Sequence, residues 1–357
     1  MSQVGMAHPV VLVTGALTPL GAGVLPHLVG VAGIGKLIAL SGTRSTLPGV
    51  TWRVADVLDP AIAGKLNDVD VVVHLDLDLG PDSDPVARSA VNQRGAETVL
   101  TAAAAAGVPR VVLVTSAMVY GAVPENPVPL AESAPLGALA SGIVGDLLEI
   151  ERLAVAARKV HPGLDVVVLR PAALVGPGLD SAVTRHFAAP RLVGIREAAM
   201  RWQFCHFADL AAAVELAVKG AVSGSLAVAG PGWLEQDAAA EIAGLRRVDL
   251  PATVVFAAAE RLHRAHLTPT PAADLAYLSY PWVVAPDQLL AAGWTPKFDN
   301  RSALTELLAH SDGGLALAGR RVGRRDATLA GAGAAGATVA LVGAAAFVRR
   351  ARKSRGR

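Results

Sequence analysis

The stretch Val10-Val11-Leu12-Val13-Thr14-Gly15-Ala16-Leu17-Thr18-Pro19-Leu20-Gly21 constrains the fold of this chain more than any other. Four aliphatic residues, three of them β-branched, read as a strand buried on both faces, and Thr14-Gly15 forces a tight turn into an Ala- and Leu-bearing helix. Glycine serves where the backbone takes unusual dihedrals or approaches a phosphate, and the start of a helix offers free N–H groups to an anion. Gly15 and Gly21 stand where such a turn needs them. The middle position of the T-G-x-x-G-x-x-G pattern holds Thr18, whose Cβ and hydroxyl would intrude where a phosphate comes close. Taken alone, the stretch reads equally as a buried strand ending in an ordinary turn.

Further short apolar runs then alternate with helical stretches. Strands are expected at Lys36 to Leu40, Thr51 to Val54, Val69 to His74, Val111 to Thr115 and Val166 to Leu169, with long helices at Ala87 to Ala106 and Gly142 to Val160. A β-α-β series covered on both faces is an α/β fold with a doubly wound parallel sheet, whose ligands bind at the carboxyl ends of the strands. The 357 residues, 52% of them hydrophobic, suffice for one such domain with a smaller lobe. A net charge of +2 leaves no nucleic-acid-binding face across the main body. The single cysteine, Cys205, excludes an internal disulfide and a cysteine-based zinc cluster, and no metal site is expected. Met1 to Pro9 has neither a basic start nor an apolar run long enough for a secretory signal.

Six segments fall in a telling order: Gly15 and Gly21; Val54-Ala55-Asp56-Val57-Leu58-Asp59; Asp70-Val71-Val72-Val73-His74-Leu75; Asn92-Gln93-Arg94-Gly95; Val114 to Gly121; and Leu169-Arg170-Pro171 to Gly178. From about Val10 to about Leu308 the chain resembles the extended short-chain dehydrogenase/reductases, in their NAD-dependent epimerase/dehydratase branch. That group includes nucleotide-sugar epimerases and 3β-hydroxysteroid dehydrogenases. The alanine- and valine-rich composition is similar to actinobacterial nucleotide-sugar epimerase-like proteins. The resemblance implies a Rossmann domain over residues 1–180, a substrate lobe over 181–310, and NAD or NADP as cofactor. It further implies a small-molecule substrate, such as a nucleotide sugar, and a homodimer formed through the two long helices.

Carried over residue by residue, the resemblance places Gly15, Thr18 and Gly21 on the pyrophosphate and Asp56 and Val57 at the adenine. It places His74 and Leu75 along the ribose, and Asn92 and Pro171 beside the cofactor. Asp56 reads equally as a turn residue, and a strand-terminal histidine as a structural one. The acidic residue expected at the end of the second strand falls at Ser41. Its loss removes repulsion toward a 2′-phosphate, which Arg44 could pair with; Arg44 reads equally as a solvated loop charge.

Chemistry in this family requires a tyrosine acid/base, a lysine that lowers its pKa and a serine or threonine that polarises the substrate oxygen. Ser116 supplies the last. The frame set by Ser116 and Glu149 puts the tyrosine and lysine positions on Ser141 and Gly145, neither of which can serve. Tyr120 reads as a packing residue and Asp146 as an exposed or capping carboxylate. Arg185, Arg191, Arg196 and Arg201 form a candidate diphosphate-binding cluster or an ordinary solvated surface, while His206 and Asp209 read as a cap joining strand to helix and Cys205 as buried.

The C-terminal region changes character. Residues 311–326 form a basic linker, 327–348 contain no charge and are long enough to cross a hydrocarbon core, and 349–357 are a basic tail. A single-pass transmembrane anchor with the body at the cytoplasmic face is expected, the alternative being a flexible Ala/Gly tail. Two functions remain open at this stage. One is an enzyme of epimerase/dehydratase type; the other is a catalytically silent NAD(P)- or nucleotide-binding scaffold or sensor at the membrane.

Overall fold

Runs rich in valine and leucine have no polar face, so they belong inside a sheet covered on both sides. A computed structural model, which describes residues 8–265, 272–310, 315–317 and 320–322, places them there. Strands β1 (Val10–Thr14), β2 (Lys36–Ser41), β3 (Thr51–Val54), β4 (Val71–His74), β5 (Arg110–Val114) and β6 (Asp165–Pro171) match the expected six to within two residues. The chain then adds β7 (Ala173–Val175), β8 (Leu192–Ile195), β9 (Arg201–Trp202), β10 (Phe204–His206), β11 (Ser225–Val228), β12 (Leu234–Glu235) and β13 (Arg247–Leu250).

Seven strands form one parallel sheet in the order β11-β6-β5-β4-β1-β2-β3. The winding runs outward from β1 to β3, then restarts at β4 on the other side of β1. The crevice beyond the carboxyl ends of β1 and β4 is therefore the topological switch point. The two halves of the sheet wind outward from that point in opposite directions, the doubly wound order.

The helices that frame the sheet are α1 (Pro19–Leu28), α2 (Pro85–Ser89), α3 (Gly95–Ala106), α4 (Gly142–Val160), α5 (Ala182–Phe187) and α6 (Phe207–Val218). Helix α4 has the expected bounds. The other expected long helix is instead α2, a wide π turn over Ala90–Arg94, and α3. Helix α1 packs on α6, and Phe207 at the start of α6 makes the joint. A Cβ at Gly23 or Gly176 would lie 2.0 or 1.9 Å from its ring. His206 provides the expected cap, its Nδ1 accepting from Ala208 N at 3.1 Å, whereas Asp209 ties α6 to a distant segment by accepting from Lys297 N at 2.6 Å.

The smaller lobe is built from short pairs, β7 with β10, β8 with β13, and β9 with β12. Part of the expected linker, Leu315–Leu317 and Arg320–Val322, pairs as two antiparallel strands. The expected transmembrane run 327–348 and the tail 349–357 lie outside the described residues. Among the described residues no helix is long and apolar enough to cross a membrane.

Gly21 tests how tightly the first turn is built. A Cβ there would stand 1.9 Å from the Gly15 carbonyl oxygen, which is backbone and cannot move aside cheaply. Gly21→Ala is expected to lower stability by at least ~1–3 kcal/mol, read from urea unfolding of the purified protein.

Candidate functional site

The turn between β1 and α1 is sewn onto the end of β4. Gly15 has φ +65°, and a Cβ on it would meet Asp76 Cα at 2.4 Å. Thr18 is the N-cap of α1, and its hydroxyl accepts from Gly21 N at 3.1 Å. The same hydroxyl shares its proton between the carbonyls of Gly15 (2.8 Å) and Leu75 (3.1 Å). The expectation that it intrudes toward a phosphate is thus corrected: the hydroxyl is turned inward and consumed in the turn.

Three of the residues expected beside the cofactor are fully buried. His74, Leu75 and Asn92 have no solvent-facing surface. His74 Nδ1 lies 2.7 Å from the Thr14 hydroxyl, its Nε2 has no partner, and burial pushes its pKa down to about 4. The Asn92 amide is occupied by the backbone of Asp78 through bonds of 2.8 and 3.0 Å. At the edge of the crevice Ser41 is half-buried, while Arg44 is exposed and has no ion pair among the described residues. Asp56 is exposed and accepts from Leu58 N at 2.9 Å, a turn role; Val57 is buried close to Gly95. Asp76, missed in the sequence, lies half-buried beside Gly15, and burial followed by the charge of Asp56 pushes its pKa up to about 6.

At the end of β5 the hydroxyl of Ser116 accepts from Met118 N at 3.2 Å and donates to the Pro171 carbonyl at 3.3 Å. Behind it runs a buried chain of polar contacts. Thr115 donates to Glu151 at 2.8 Å, Glu151 takes a bidentate pair from Arg170 with both bonds at 2.8 Å, and Arg170 donates to the Tyr120 hydroxyl at 2.8 Å. Tyr120 in turn donates to the Glu132 carbonyl at 2.9 Å, and burial raises its pKa. The second nearby tyrosine, Tyr277, donates to the Met118 carbonyl at 2.9 Å. Among the described residues no tyrosine hydroxyl is hydrogen-bonded to Ser116.

Helix α4 changes the frame used for the missing pair. Glu149 faces outward and pairs with Arg152, whereas Glu151 is the buried partner of Arg170. Anchoring the frame on Glu151 moves the two positions from Ser141 and Gly145 to Ile143 and Leu147. Either register lacks both side chains, since the chain has no lysine from 66 to 158. Ser141 is the N-cap of α4 without a side-chain cap bond, and a Cβ on Gly145 would lie 3.1 Å from Ala140 C.

Asp146 is a further correction: it is not exposed but buried. It accepts from Arg88 Nε (2.8 Å), Ser89 Oγ (2.6 Å), Gln93 Nε2 (2.7 Å) and Asn92 Nδ2 (3.3 Å). The π turn is what brings these donors to one carboxylate. The four lobe arginines do not converge either. Arg185 is buried against Asp180 and Asp82, Arg201 pairs with Glu235, and Arg191 and Arg196 are exposed at the two ends of β8. Cys205 is buried, and burial raises its thiol pKa well above the ordinary value. Among the described residues no group of side chains could hold a metal ion.

A model of the NAD dependent epimerase/dehydratase family matches residues 11–228, well over half of the chain. The chain belongs to this family. Uncharacterized proteins of Mycobacterium tuberculosis and Mycobacterium bovis are 30% identical to it over 317 residues, covering 84% of both chains. Among solved structures, UDP-glucose 4-epimerase of Thermus thermophilus in complex with NAD is 21% identical with a TM-score of 0.63, covering 85% of this chain and 99% of that one. UDP-N-acetylglucosamine 4-epimerase of Methanobrevibacter ruminantium, in complex with UDP-N-acetylmuramic acid, is 18% identical with a TM-score of 0.64, covering 85% and 98%. At these identities the likeness shows the shared fold.

Two measurements check the electrostatics of this family member. Glu151→Gln leaves the Arg170 charge buried without its partner and is expected to cost about 3–5 kcal/mol in urea unfolding. The second concerns His186, half-buried with its Nε2 enclosed against Phe187 and Trp202, whose pKa burial pushes down to about 4 from 6.5. The unfolded chain binds the extra proton between those values, so this histidine contributes stability above pH 6.5 that is lost as pH falls toward 4. Asp76 and Asp274, pushed up to about 6 chiefly by burial, act in the opposite sense. The comparison is therefore with wild type: His186→Phe is expected to lose less stability than the parent over that range.

Proposed function

We propose that this chain binds a nicotinamide dinucleotide along the crevice at the ends of β1 to β3 and does not run the proton transfer that its family's resemblance implies. The observation that carries the reading is α4: its start, its buried Glu151 and the Arg170 pair are all in place, while its first two turns hold neither tyrosine nor lysine. A tyrosine titrates near 10 unaided, so even a tyrosine supplied from elsewhere would need a cation beside it to exchange protons near neutrality. Tyr120 has its hydroxyl closed between Arg170 and Glu132.

The fit to a dinucleotide rests on the crevice itself. The glycine turn lies at the switch point, α1 begins beside it, and Ser41 with the unpaired Arg44 sets no charge penalty on a 2′-phosphate. When bound, the dinucleotide would supply the capacity for hydride transfer. The chain's own residues would bind and orient it, with Gly15 and Gly21 permitting the close turn. Ser116 at the end of β5 and structural neighbours crystallised with UDP-sugars support a nucleotide-linked sugar as second ligand. The uncharged run 327–348 between basic segments supports attachment at the cytoplasmic face of a membrane, and the family likeness supports a homodimer.

Fluorescence titration of the full chain with NADH and NADPH tests this, followed by incubation with UDP-glucose and UDP-N-acetylglucosamine. Binding of both dinucleotides without turnover is expected. Arg44→Ala should weaken NADPH about tenfold, the equivalent of ~1.4 kcal/mol, and leave NADH unchanged. Epimerised or dehydrated product would overturn the silent assignment; absence of binding would overturn the dinucleotide itself.

A further inference from the structure

Asp76 sits against the first glycine turn, where a Cβ on Gly15 would lie 2.4 Å from its Cα. It follows Leu75, whose carbonyl anchors Thr18, and its backbone packs against the Gly15 turn. It is thus at the switch point, next to the start of α1. The aspartates near it are engaged: Asp78 accepts from Gly80 N (2.9 Å) and Ser83 Oγ (2.7 Å), and Asp56 accepts from Leu58 N. Asp76, half-buried, has no hydrogen-bond partner among the described residues.

The surrounding groups do not neutralise it. The loop after β3 presents Asp56, also negative; β4 contributes His74, buried and neutral; the β1 turn and the start of α1 bring no ionisable side chain; and the segment after β5 offers Ser116. The helix start is itself a reduced anion site. Pro19 has no N–H, and Gly21 N donates to Thr18. A doubly charged pyrophosphate laid there meets an unpaired carboxylate with few donors to offset it.

We propose that Asp76 makes dinucleotide binding proton-linked, the pyrophosphate being admitted when the Asp76 carboxyl carries a proton taken from solvent. This rests on the dinucleotide-binding reading above. A protonated carboxyl removes the repulsion and can donate a hydrogen bond to a phosphate oxygen. With a pKa of about 6 in the free protein, Asp76 is ionised at neutral pH and gains its proton on binding. Affinity should then fall about tenfold per pH unit above about pH 6, with uptake of about one proton per dinucleotide.

The test is calorimetric titration of the full chain with NAD+ from about pH 5.5 to about pH 8, in buffers of different ionisation enthalpy so that proton uptake is read directly. Wild type is expected to show the slope and the uptake. Asp76→Asn, which keeps the shape and removes the charge, should bind at the upper pH as tightly as wild type does in acid, with no proton uptake. Asp56→Asn should retain the slope. The inference is overturned if wild type binds independently of pH without proton uptake, a result that needs no variant, or if Asp76→Asn keeps the wild-type slope. Binding by neither protein at any pH would overturn the dinucleotide reading, and this inference with it.

Discussion

The close approach of the β1 turn to the end of β4 is the constraint on which the rest of the site depends. Two backbones meet where a single Cβ on Gly15 would stand 2.4 Å from Asp76 Cα, and one on Gly21 would strike the Gly15 carbonyl. Thr18 locks the joint by bonding both strands' carbonyls and capping α1. Such a turn tolerates no side chain at two positions. Geometry and electrostatics at the switch point are therefore set by the same few residues. Replacing the middle glycine of the pattern with threonine has not opened the turn; it has traded a bare backbone surface for an internal hydrogen-bonded knot.

A second buried constraint lies behind β5 and β6. The run from Thr115 through Glu151 and Arg170 to Tyr120 is fully paired, which is the condition under which a buried ion pair can be retained in a core. It holds α4 against the sheet and keeps the ends of β5 and β6 together whether or not α4 carries reactive side chains. The pairing is therefore a property of the scaffold, independent of which side chains line the first turns of α4.

Much of this was legible in the residues. Aliphatic runs located the six main strands, because a strand buried on both faces has little freedom in composition, and the bounds of α4 followed from its apolar stripe. The π turn was not legible, since apolar periodicity continues through it; the donors it gathers meet Asp146, a contact made across 53 residues or more. Which of the two helix acids faces inward is legible in the residues. Glu151 falls on the stripe of Val144, Leu147 and Ala154, and Glu149 has Arg152 three residues on as an outward partner. Asp76 was hidden for a different reason. It stands in an alternating Asp-Leu run that reads as a solvated edge, and only the fold separates the engaged Asp78 from the unpaired Asp76.

The two ends of the crevice are tuned in opposite directions. Under the proposed binding reading, the adenosine end carries Ser41 where a carboxylate is expected and Arg44, which has no ion pair among the described residues, so added negative charge would be tolerated there. At the centre, Asp76 opposes negative charge and the first turn of α1 has given up two of its donors, one to Pro19 and one to Thr18. A dinucleotide bound across both would gain at one end and lose at the other, and the loss is the term that a proton can remove. Under the binding reading this favours a ligand that exchanges with solution over one held permanently. An exchanging dinucleotide is of little use to a reaction that returns its cofactor unchanged each cycle, but it is what a protein needs if its occupancy is to report on the pool around it.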